Sequence, residues 1–190
     1  MSVLQAALLF LCQTVFTLCI GVFLLRFCLQ LSGTPSRNTI TQWLGKITNP
    51  VIKPLRYAYL RVWKRFDSAA FVVCLLLIMV KVYIFGWIKI DESLPLLNVL
   101  VFACGQLLQF TVQVYSIAVI AQAVLSWVNP APNAMSDVLY SLTAPLLNLV
   151  RRFIPPIAGF DLSPIPVWLG LQLLNIMVAA PIMRASLWML

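Results

Sequence analysis

Two aspartates in this chain each stand between an arginine and the start of a long apolar run. Asp67 follows Arg56, and Asp161 follows Arg151 and Arg152. A carboxylate just ahead of a helix can accept hydrogen bonds from the orphan N–H groups of its first turn. Arg56 and Arg151 lie six residues beyond Pro50 and Pro145 respectively. From there each can hold a lipid phosphate or pair with its aspartate, fastening a loop beneath the helices. Capping and fastening explain these charges without chemistry on a substrate.

A second set of polar residues lies within apolar surroundings. Gln106, Gln109, Gln113 and Ser116 share a narrow arc at helical spacing. So do Gln13, Thr14, Thr17 and Gly21, and so do Trp168, Gln172, Asn175 and Ala179. Amides in hydrocarbon need partners, so these stripes should face one another or water. Interhelical hydrogen bonds, each contributing ~0.6–2 kcal/mol, are the simpler reading. A polar path for an ion or water is the alternative, although such paths usually carry ionisable groups. Lys81 is the one charge well inside a run, where an ammonium costs ~2.5–3.5 kcal/mol. It either joins the glutamines around a polar cavity or extends to the outer interface.

The absence of histidine removes the commonest general base, the usual haem ligand and the HExxH metal site. Five cysteines, odd in number and without a CxxC pair, argue against a disulfide framework or zinc cluster. No cofactor or metal is expected, and the chain reads as non-enzymatic.

The elements positioning these residues must be membrane helices. Apolar residues make up 62% of the 190 and charged residues 9%, against roughly 45–50% and about 25% in soluble domains. Four runs, about Val3–Phe27, Ala69–Trp87, Leu96–Trp127 and Val167–Met189, suffice to cross ~30 Å of hydrocarbon. The first lacks a basic n-region and is longer than a signal peptide's apolar core, so it should persist as a span. The third must tilt, project or bend, with Gly105 a candidate for the bend. Eight of the thirteen basic residues fall between Arg26 and Arg65. This places the loops after the first and third spans in the cytoplasm and both termini outside. Within these loops Ile40, Trp43, Leu44 and Ile47, and Met135, Val138, Leu139 and Leu142, follow amphipathic helical spacing. Such helices should lie on the membrane surface or pack on the bundle, with Pro50 and Pro145 ending them.

The two loops are near copies. Thr48, Pro50, Pro54, Arg56 and Asp67 in the first correspond to Thr143, Pro145, Arg151, Arg152, Pro155, Asp161, Ser163 and Pro164 in the second. On these residues the chain resembles the YggT family of bacterial and plastid membrane proteins over essentially its whole length. Leu149 replaces the second proline of the first copy, and the first copy has no counterpart of Pro155. The copies also differ in charge: residues 28–68 carry seven basic groups and one acid, residues 128–164 two of each. The resemblance implies roles in salt-shock tolerance and potassium homeostasis, in division-linked membrane organisation, and in plastid cytochrome assembly.

The expected architecture is an all-α polytopic membrane protein of four transmembrane helices, in two parallel tandem repeats at 1–90 and 91–190, with amphipathic cytoplasmic helices. The expected location is the bacterial inner membrane. The expected function is that of an organiser or assembly factor tied to membrane homeostasis or salt stress; an ion or osmolyte pathway is the alternative. Anionic phospholipids, membrane or cytoplasmic proteins and a second copy of the chain are the expected partners. The aromatic and basic stretch Tyr57–Arg65 suits a membrane interface better than nucleic acid.

Overall fold

The apolar runs become helices because hydrocarbon offers no other way to satisfy a single chain's backbone, a closed barrel excepted. The computed structural model describes residues 3–58, 62–63, 66–90, 95–128, 133–154 and 161–188. In order these form α1 (Val3–Ser32), α2 (Thr39–Ala58), the short strands β1 (Val62–Trp63) and β2 (Phe66–Asp67), α3 (Ser68–Ile90), α4 (Leu96–Val128) and α5 (Ala134–Arg151). The last stretch is α6 (Pro164–Leu174), a π-helical turn (Asn175–Ala179) and α7 (Ala180–Trp188). Among the described residues, four segments are long and apolar enough to span a membrane: Val3–Ser32, Ser68–Gly86, Leu96–Ser126 and Pro164–Ser186. The protein is therefore an all-α membrane protein in a tandem layout. Arg61, Lys64, Arg65, Asp91, Glu92 and Pro155 lie outside the described residues.

Helix α1 runs beyond Phe27 because its stop signal is Gly33, at φ 75°. The Gly33 N–H bonds the Gln30 carbonyl at 3.1 Å and the Thr34 N–H the Leu29 carbonyl at 3.0 Å. This pair of bonds closes the helix end, and only glycine adopts that backbone cheaply. The start of α5 is closed by a reciprocal cap. The Asn133 side chain accepts from the N–H groups of Met135 and Ser136, and the Ser136 hydroxyl accepts from the Asn133 N–H.

Pro50 and Pro145 do not end their helices: α2 continues through Pro50 and Pro54, and α5 through Pro145. A proline removes one rung and crowds the carbonyl four residues back. Here the prolines lie on exposed faces, while buried residues hold the turns on both sides. Leu44, Thr48 and Ile52 do so along α2, and Leu142, Thr143 and Leu147 along α5. Trp43, Ile47 and Met135 of the expected apolar stripes are exposed instead. The β1–β2 pairing, with Val62 opposite Asp67 and Trp63 opposite Phe66, is too short to leave a periodic signature.

Helices α1 and α3 pack through Ile20, Leu24 and Cys28 against Ala69, Ala70, Cys74 and Ile78, all fully buried or nearly so. The alanines let the two backbones approach closely. Helix α4 contacts α3, α5, α6 and α7 and so joins the two repeats. Helices α2 and α5 touch each other and α1 at one end of the bundle, and the Asn38 side-chain N–H bonds the Ala134 carbonyl at 2.8 Å. They form a collar around the roots of the spans.

Helix α4 is uninterrupted, and Gly105 serves a close approach, not a break. A Cβ there would meet Met183 Cγ at 2.8 Å and the Met183 backbone nitrogen at 3.2 Å. Gly105→Ala should therefore destabilise the fold by about 1–3 kcal/mol. Gly21→Ala, whose Cβ meets nothing within 4 Å, should be neutral or slightly stabilising. Reversible unfolding of both variants in detergent checks the contrast.

Candidate functional site

Each repeat brings an aspartate and an arginine together at the collar. Asp67 ends β2, ahead of α3, and is fully buried. Its Oδ1 accepts from the Ala70 N–H at 3.3 Å, capping α3. Its Oδ2 receives the Arg56 Nη2, while Arg26 Nε on α1 lies 3.9 Å from the same oxygen. Arg26 also donates from Nη1 to the Thr48 hydroxyl and, at 2.9 Å, to Asn49 Oδ1. Arg56 reaches Gln30 Oε1 at 3.4 Å. One carboxylate thus ties α1, α2 and α3 together through two guanidinium groups.

The second repeat builds a simpler version. Arg151 donates from Nε and Nη2 to Asp161 Oδ2 at 2.9 and 2.6 Å, and from Nη1 to Asn148 Oδ1 at 3.2 Å. Asp161 Oδ1 accepts from the Ser163 N–H at 2.9 Å, steering the chain into α6. On α4, Gln122 lines a small cavity with Arg151 and Asp161 where the first repeat has Arg26. Arg152 is exposed beside it. Burial alone would raise the Asp161 carboxyl, but hydrogen bonding from Ser163 and Arg151 outweighs it and holds the group below the usual range.

Arg26 is the site residue that sequence reasoning passed over. It lies one residue before the end of the Val3–Phe27 run and belongs by position to the basic block as well. The available signal was its place inside that run, since a charge there requires a partner.

The amide stripes of α4 and α6 do meet. Gln109, Gln113, Ser116, Trp168, Gln172 and Asn175 line a cavity of about 350 Å³. Gln172 Nε2 donates to the Ser116 hydroxyl at 3.3 Å. Asn175 opens the π turn, which precedes Pro181, a residue unable to donate a rung to the ladder. Gln106 turns its Oε1 into a buried position without a hydrogen-bond partner.

The other stripes lie elsewhere. Gln13, Thr14 and Thr17 line a separate groove on α1. The two threonine hydroxyls donate to carbonyls of their own helix, at Phe10 and Gln13. Lys81 lies outside the α4–α6 lining and is only 6% exposed. Its Nζ is 3.4 Å from the Thr17 hydroxyl and 5.3 Å from the Phe110 ring centre. The ammonium is held between α1 and α4 by a hydroxyl and a ring face.

Asp67→Asn leaves two guanidinium groups without their carboxylate and should cost about 3–5 kcal/mol. Asp161→Asn, in a partly exposed pair, should cost about 1–2 kcal/mol. Exchanging Asp161 and Arg151 should recover part of the loss seen in each single variant, as read by unfolding in detergent. The pH dependence has a fixed sign. A depressed folded-state carboxyl stabilises the fold above the unfolded value near ~4, and that stabilisation is lost as pH falls through the folded value. The melting difference between wild type and Asp161→Asn should therefore be full at about pH 6 and shrink toward zero at lower pH.

Comparison with known proteins matches this architecture to one family. The CCB3/YggT family model matches twice, over residues 5–88 and 101–182. A protein of the proC 3′ region of Vibrio alginolyticus is 33% identical over 177 residues, covering 89% of this chain and 91% of that protein. YggT of Escherichia coli K12 is 31% identical over 175 residues, covering 90% and 88%. The chloroplastic YlmG homolog protein 2 of Arabidopsis thaliana is 43% identical over 59 residues, covering 31% and 24%. No solved structure matches. With both repeats matched and relatives aligned over nearly their full length, the chain belongs to the CCB3/YggT family of membrane proteins.

Proposed function

We propose that this protein is a non-enzymatic organiser of a bacterial inner membrane, acting in membrane homeostasis under salt stress. The observation that carries this reading is the collar: two amphipathic helices clasped to the span roots by arginine–aspartate pairs and touching each other. Such clasps hold a rigid platform at the level of the head groups. On α2, Lys46 and Lys53 are exposed, and each cation near an anionic leaflet contributes about 1 kcal/mol. Exposed Trp43 and Ile47 give the same helix an apolar face for the interface. The basic excess supports a cytoplasmic collar with both termini outside. Anionic phospholipids are its first partners, with membrane or cytoplasmic proteins, or a second copy, recruited to the same face.

The α4–α6 cavity supports a second reading, a small-ion or osmolyte pathway. Its lining is uncharged, and the Gln172–Ser116 bond crosses it. Interhelical pairing uses those amides more simply.

An Escherichia coli strain lacking YggT, tested for recovery from a salt upshift, separates the two. Wild-type chain and Gln109→Ala/Gln113→Ala should restore recovery, and Lys46→Gln/Lys53→Gln should not. Potassium flux in proteoliposomes that disappears in the double alanine variant would replace the organiser with the pathway.

A further inference from the structure

The two clasps share a plan but not a charge balance. Asp67 is the only acid in residues 1–90, and it faces both Arg26 and Arg56. Asp161 faces Arg151, and the α4 position near it is the neutral Gln122. The first clasp therefore holds one guanidinium charge more than its carboxylate neutralises.

The surplus is placed where an anion can use it. The Arg26 side chain is 12% exposed and carries three described contacts, to Asp67, Thr48 and Asn49. The Arg56 side chain is 32% exposed, while its buried Nε has no hydrogen-bond partner. A buried guanidinium N–H left unpaired costs more than a neutral one. The site lies near the end of α1, whose 30 residues span ~45 Å at ~1.5 Å each, well over the ~30 Å hydrocarbon core. A helix that long extends past the hydrocarbon, so arginines near its end are within reach of head-group phosphates. A guanidinium fork matches the paired oxygens of a phosphate better than any neutral group does.

We propose that Arg26 and Arg56 of the first repeat, which share one carboxylate, form a specific site for a phosphate-bearing anion; in the second repeat Arg151 faces Asp161 and Arg152 is exposed beside it. The same chemistry would recognise an anionic lipid head group or free phosphate. The proposal rests on the reading of the collar as a lipid-facing platform and adds to it a discrete, saturable site. A collar that binds the leaflet only diffusely would leave the organiser reading intact and remove this one.

The test is native mass spectrometry of the full chain in detergent, titrated with dioleoyl phosphatidylglycerol, dioleoyl phosphatidylcholine and inorganic phosphate. Wild type should retain one phosphatidylglycerol at least fivefold more tightly than phosphatidylcholine. Arg26→Gln gives the first clasp the composition of the second and leaves Asp67 its Arg56 partner, so it should lose that preference. Arg56→Lys keeps the charge but removes the fork and should weaken retention several-fold. Arg184→Gln removes one exposed charge on α7 and should change nothing. Should Arg26→Gln fail to fold, Arg56→Lys alone decides. Displacement of the lipid by millimolar phosphate identifies free phosphate as the ligand; its failure identifies the head group. Equal retention of the two lipids by wild type, an unchanged preference in Arg56→Lys, or an equal loss in Arg184→Gln would overturn the site.

Discussion

A buried carboxylate at a span root must be paired, and the first repeat is organised around meeting that demand. Asp67 is fully buried, so its negative charge is tolerable only with cations and hydrogen-bond donors around it. Those donors come from three elements: Arg26 from α1, Arg56 from α2 and the Ala70 N–H from α3. Each element is held against the others by a group it cannot withdraw without stranding a charge. The hairpin register that opposes Val62 to Asp67 places the carboxylate at the mouth of α3.

The second repeat applies the same device at lower cost. Asp161 is partly exposed, its arginine approaches through two nitrogens, and the Ser163 N–H completes the cap. The two collars meet through Asn38 and Ala134. Helix α4 joins the halves through its contacts with α1 and α3, and within its own repeat it is held by a close approach at Gly105 and by amide bonding to α6. A polar collar and an apolar bundle with paired amides are what a short chain needs when the bilayer replaces water as its solvent.

Much of this was legible in the residues. The spans begin close to where hydropathy and proline place them, since length and apolarity alone decide whether a segment can cross. The glutamine stripe of α4 and the stripe running from Gln172 of α6 to Asn175 of the π turn were readable from spacing, and they line one cavity. Other features were not. Pro50, Pro54 and Pro145 look like helix stops, yet packing through Ile52 and Leu147 carries the helices across them. The stripe on α1 likewise keeps to one helix face, yet it lies in a different groove. Lys81 lies against Thr17 and Phe110, apart from the amides that line the α4–α6 cavity.

The sequence by itself determined the class of solvent, the number of spans, the duplication and the residue types available for clasping. These follow from composition and from local repeats, which need no knowledge of what lies across the bundle. Only the tertiary structure decided which charge meets which. Arg26 and Asp67 are 41 residues apart, and no local pattern tells whether an arginine at the end of a span looks inward or outward. The orientation of α1 against α3, set by alanines and interlocking aliphatic side chains, brings a second guanidinium to Asp67. In the second repeat the corresponding α4 surface carries Gln122. The resulting difference in charge between two otherwise similar clasps is a property of packing, because pairing energies depend on distance and burial that spacing along the chain does not encode.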